Sequence, residues 1–79
     1  MSNVAISREV AANVLFVFGM GGYEPGSFTH SLLNTIAKAD SWNRSLLAEI
    51  YPEHVEAYRL ASESENGIAE LRDIAGITP

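Results

Sequence analysis

Glycine-rich loops hold phosphates through their backbone N–H groups, and residues 19–27, Gly19-Met20-Gly21-Gly22-Tyr23-Glu24-Pro25-Gly26-Ser27, come nearest in this chain to such a motif. A dinucleotide loop needs three glycines at fixed offsets. Counted from Gly19, the third falls on Glu24, whose carboxylate repels a pyrophosphate. A mononucleotide loop needs Gly, four residues, Gly, Lys and then Ser or Thr. Gly21 and Gly26 have that separation, but Ser27 stands where the phosphate-binding Lys is required. Both readings fail, so no cofactor and no small-molecule ligand is expected. The segment reads instead as a connection between helices, with Pro25 and Gly26 making a turn.

The remaining chemistry-bearing residues are sparse. His30 and His54 lie 24 positions apart, whereas helical zinc sites place two histidines one turn apart with a third ligand nearby, so no metal is expected. Ser27, His30 and Asp40 supply the residue types of a nucleophilic triad. A helix bundle this small seldom also provides an oriented base, an oxyanion hole and a cleft, so the expectation is a protein that is not an enzyme, with no catalytic residue. Glu49, Glu53 and Glu56 would align at i, i+4 and i+7 if one helix ran through Pro52, giving either a solvated face or a docking surface for a basic partner. Phe16, Tyr23 and Trp42 complete the candidate partner-binding set. Aromatic residues are favoured interface anchors, although a lone Trp in a small domain more often joins the core.

Helix-period apolar spacing dominates the elements that must position these residues. Ser7 caps a first helix in which Val10, Ala11, Val14, Leu15 and Phe18 share a face, widened by Phe16 and Val17. A buried strand over residues 14–18 is the competing reading, since five β-prone residues in a row carry no period of their own. The glycine segment stops that helix. Ser27 or Thr29 caps a second, with Phe28, Leu32, Leu33, Ile36 and Ala37 inward. Asp40 or Ser41 caps a third, with Leu46, Leu47, Ile50 and Trp42 facing in. Pro52 opens a fourth, which carries Val55, Tyr58 and Ala61. Residues 62–67 read as a polar loop, and Ile68, Leu71 and Ile74 or Ala75 mark a last helix stopped by Gly76. The expected fold is all-α, a compact bundle of four or five short helices in a single domain, residues 1–79.

Composition agrees with this reading. The chain has 79 residues, no Cys and a formal charge of −5. Its length leaves no room for a doubly wound nucleotide fold, and no disulfide staples a core that is small to begin with. The excess negative charge lies in residues 49–79, where Arg59 and Arg72 face Glu49, Glu53, Glu56, Glu63, Glu65, Glu70 and Asp73. With so few cations for phosphate contacts, nucleic acid is a disfavoured partner. The most apolar stretch, residues 10–20, is too short to span a bilayer, and Arg8 followed at once by Glu9 does not suit a secretory signal. No membrane association is expected, and the cytoplasm is the expected compartment.

One string of residues resembles a known group. Gly21-Gly22-Tyr23-Glu24-Pro25-Gly26-Ser27-Phe28, then Ala39-Asp40, Asn43-Arg44, Leu46-Leu47, and Pro52 followed by Val55, resemble small uncharacterised proteins of actinobacterial phages and their hosts. Trp42 and Tyr51 depart from the small or Phe residues more usual there. The resemblance covers about half the chain and transfers no catalytic set. It implies a small accessory gene product of a phage, acting in the cytoplasm of a bacterial host. Two functions are expected in order: a non-catalytic protein-interaction module that binds and modulates a host protein or its own copy, and a helix-turn-helix-like nucleic-acid-binding regulator. The apolar breadth of the first helix allows three kinds of cover, namely a central place in the bundle, a homodimer or a heterologous partner.

Overall fold

The computed structural model describes residues 4–77 and is all-helical, with no strand among the described residues. Five helices follow in order: α1 (Arg8–Val17), α2 (Ser27–Lys38), α3 (Ser41–Ile50), α4 (Pro52–Glu63) and α5 (Gly67–Ala75). α4 is the hub, packing against each of the other four, and α1 and α5 pack together beside it. No helix among the described residues is long and apolar enough to cross a membrane.

α1 forms because Ser7 accepts a hydrogen bond from the Val10 N–H at 3.2 Å and Glu9 sits at the positive end of the dipole. The five-residue apolar run is therefore helical up to Val17, not a strand. Its end is a Schellman turn, in which Met20 N–H donates to Leu15 O and Gly19 N–H to Phe16 O, both at 2.9 Å. Residues Val10, Ala11, Ala12, Asn13, Val14 and Leu15 are all buried, so the helix is central and its own chain covers most of its breadth, while Phe16 stays exposed. Phe18 is half-buried, edge-on to Tyr58 with ring centroids 5.1 Å apart.

The loop after α1 is fixed at both ends. Asn13, a buried polar residue, donates from Nδ2 to Tyr23 O at 3.1 Å, and Arg72 donates from Nε and a terminal nitrogen to Met20 O. Gly22 lies at φ 77° against the Ala12 carbonyl, where any Cβ would collide with backbone. Pro25 is buried, and Gly26 leads into α2 with extended backbone.

Gly26 is the N-cap of α2, with no side-chain cap bond, so neither Ser27 nor Thr29 caps it. Leu32, Leu33 and Ile36 are buried as expected, but Phe28 and Ala37 are exposed, because α2 packs against α4 along a face narrower than its apolar residues span. α3 is capped by Asp40, which accepts from Asn43 N–H at 2.8 Å. It has no buried residue: Leu47 is half-buried, and Leu46, Ile50 and Trp42 point away from the core instead of into it.

Tyr51, at φ −125° and ψ 61°, separates α3 from α4, and Pro52 opens α4 where no N–H partner is needed. α4 continues through Ser62 and Glu63, so the polar connection to α5 is shorter than residues 62–67. Ser62 donates to Tyr58 O within that last turn. α5 begins on a buried glycine: a Cβ at Gly67 would meet the Leu60 carbonyl, so this position lets the α4 and α5 backbones touch. Leu71 and Ala75 bury from α5, with Ile68 and Ile74 half-buried beside them, and Gly76 closes it.

Candidate interaction surface

Helix geometry gives α3 two apolar sides. Leu47 and Tyr51 fall on one, turned towards α4, while Trp42, Leu46 and Ile50 at i, i+4 and i+8 form a ridge on another. That ridge faces solvent: Trp42 is 70% exposed, Leu46 43% and Ile50 71%. Beside it lies an open groove of about 410 Å³ between α2 and α3, lined by Thr35, Lys38, Ala39, Asn43, Leu46, Leu47 and Ile50. Phe28, 64% exposed, extends the same face at the far end. It precedes Thr35 by seven residues on α2, and its ring lies 6.0 Å from that of Tyr51.

Arg44 fastens this flank to the core. Its guanidinium donates to Ile36 O at 3.2 Å and to Glu63 at 3.1 Å, and its Cζ lies 5.7 Å from the centre of the Tyr58 ring. One side chain thus ties the last turn of α2, α3 and the end of α4 together.

The six residues singled out in the sequence are scattered. Phe16 is exposed near the end of α1, and Tyr23 is exposed in the loop, with its carbonyl held by Asn13. Trp42 and Glu49 are exposed on α3. Glu53 accepts the Ser7 N–H at 2.7 Å, and Glu56 forms a two-point ion pair with Arg59, whose pKa is raised by the hydrogen bond to Glu56 and by its charge. Because the chain breaks at Tyr51 and Pro52, Glu49, Glu53 and Glu56 do not form one helical face, and two of the three are engaged inside the molecule. Phe28, Ala37, Trp42, Leu46 and Ile50 are surface residues whose spacing predicts an inward face. For the three on α3 a signal exists, since its apolar positions are too widely spread around the helix for one packing face.

The other chemical candidates stay apart. Asp40 is committed to its cap, and His30 is exposed on α2. His54 is half-buried in the first turn of α4, edge-on to Tyr51, and burial pushes its pKa below the ordinary value while Glu53 and Glu9 pull the other way. Among the described residues no group of three or more His, Asp or Glu side chains is placed to hold a metal ion. No protein-family model, no curated protein and no solved structure matches this chain.

Proposed function

We propose that the chain is a small, non-catalytic protein-interaction module that works through the open face of α2 and α3. The observation that carries this reading is the Trp42–Leu46–Ile50 ridge, left in solvent beside an apolar groove. Trp is the strongest interface anchor among side chains, and here it stands at one end of the ridge. In the setting the resemblance implies, an accessory product of a phage acts in this way, by occupying a surface of a protein in its bacterial host.

The charge distribution argues against a nucleic-acid regulator of the helix-turn-helix kind. Such a protein offers basic side chains from an exposed helix, but α3 carries only Arg44, which is folded against Ile36 and Glu63. Arg59 and Arg72 are likewise turned onto Glu56 and Met20.

The test is binding of the immobilised protein to host extract and to the purified chain itself, comparing wild type with Trp42→Ser and Ile50→Glu. Both substitutions sit on exposed positions and should leave the circular dichroism spectrum unchanged. Saturable binding that either variant abolishes supports the reading. Binding that survives in both folded variants removes this face from consideration.

A further inference from the structure

We infer that the occupant of the α2–α3 face is a second copy of this chain, joined in a symmetric dimer with Leu46 at the two-fold axis. The inference rests on reading that face as an interaction surface and commits its partner.

The first argument is charge. Over residues 27–51, Lys38 and Arg44 offset Asp40 and Glu49, so the flank is formally neutral and the whole charge of −5 lies on the rest of the molecule. An acidic protein that selects a basic partner would carry carboxylates around its docking face, as complementarity requires. This chain keeps most of them on and around α4 and α5, and the two on the flank, Asp40 and Glu49, are balanced by Lys38 and Arg44. The face is therefore the part of the surface on which an equally acidic copy can dock with least repulsion.

The second argument is area. Phe28, Trp42, Leu46 and Ile50 together expose on the order of 500 Å² of apolar surface, taking about 150–250 Å² for a whole aromatic side chain as the scale. A standard interface buries about 800 Å² per partner, and the core of a homodimer interface is roughly 65% apolar. These four residues supply about the apolar share, and Lys38, Asn43, Ser45 and Glu49 supply a polar rim.

The third is shape. A ridge at i, i+4 and i+8 is the row that interdigitates when two helices cross at about −50°. It is also self-complementary in reverse: with Leu46 against its own copy, Trp42 of each chain lies over Ile50 of the other. Paired α3 helices would turn two exposed flanks into one core, which suits a chain of 79 residues without a disulfide.

Sedimentation velocity from micromolar to millimolar concentration tests the inference. The expected result is a mass that rises from 8.6 kDa towards twice that value, with Trp42 emission moving to shorter wavelength as the dimer fills. Leu46→Glu and Ile50→Lys should each hold the mass at the monomer with an unchanged circular dichroism spectrum, whereas Ala69→Glu, at an exposed position on α5, should dimerise like wild type. Since the chain has no Cys, Leu46→Cys should cross-link to a disulfide dimer on oxidation and Ser62→Cys, on α4, should not. A wild type that stays monomeric to millimolar concentration overturns the dimer. In that case, binding to another protein that Leu46→Glu abolishes leaves the interaction surface standing, and binding that Leu46→Glu spares removes both. A dimer that neither Leu46→Glu nor Ile50→Lys disrupts also overturns the inference.

Discussion

α1 and α3 are both helices of 10 residues with an N-cap side chain, yet α1 has six consecutive buried positions and α3 has none. α1 lies against α4 and α5 and is closed by residues from both, so most of its near-continuous apolar sequence is covered, with Phe16 left exposed near its end. α3 touches the bundle chiefly through α4 and keeps its apolar ridge in water. The difference separates two requirements that sequence pattern merges. A helix of this length is marginal by itself and needs anchoring, but anchoring need not consume its apolar residues. In α3 the Asp40 cap and the Arg44 clasp share that work with Leu47, which leaves Trp42, Leu46 and Ile50 available for a partner.

Truncation should separate the regions most strongly. Leu15→Ala removes a fully buried side chain from α1 and should cost about 2–5 kcal/mol, a large part of the roughly 5–15 kcal/mol that holds a domain folded. Leu46→Ala, the same change on α3, should cost no more than about 0.5 kcal/mol at monomeric concentrations. Urea denaturation followed by circular dichroism measures both. Equal losses would mean that the ridge is packed and that the contrast drawn between α1 and α3 is false.

The anchors of α3 come next in size. Arg44→Met keeps much of the aliphatic stem but deletes the bonds to Ile36 O and Glu63, with an expected loss of about 1–3 kcal/mol. Asp40→Ala removes the cap and should cost about 1 kcal/mol. Hydrogen exchange sharpens the prediction beyond a global number. Amides of α3 should exchange through local opening in both variants, while those of α1 and α5 keep their protection relative to global unfolding. Uniformly faster exchange in all five helices would show that the flank and the core open as one unit.

What was legible in the sequence follows the range of each interaction. Ser7, Asp40, Pro52 and Gly76 act within a turn of themselves, and each marks the helix boundary that its chemistry implies. The glycine segment was readable as a stop for the same reason. Contacts made across the fold were not readable: Glu53 meets Ser7 46 positions away and Arg72 meets Met20 52 positions away, and nothing in either neighbourhood announces them. Gly67 looked like part of a polar loop because its use, admission of the Leu60 carbonyl, belongs to another helix. The candidate surface was half legible. Trp42 has the residue type of an interface anchor, yet its spacing sends it inward with Leu46 and Ile50, and only the placement of α3 on α4 decides which apolar side meets water.

The smallest expected effect lies at the joint between the two regions, where the rings of Phe28, Tyr51 and His54 succeed one another from α2 to α4. Burial lowers the His54 pKa from its ordinary value of 6.5, and Glu53 and Glu9 only partly oppose it. The unfolded chain therefore takes up this proton more readily than the folded one. Stability from the neutral imidazole is fully present above the unfolded pKa and is lost as pH falls from about 6.5 through the lower folded value. Acidification across that window should lower the thermal midpoint slightly, and His54→Gln should remove this contribution. The loss should be modest, since the ring is only half-buried and the two carboxylates stabilise the imidazolium. If His54 serves as a joint, the fastest-exchanging amides at low pH will be those of the first turn of α4 and the end of α3. A midpoint that rises on acidification through the same window, and falls back in His54→Gln, would mean that the carboxylates outweigh burial and that the joint tightens with protonation.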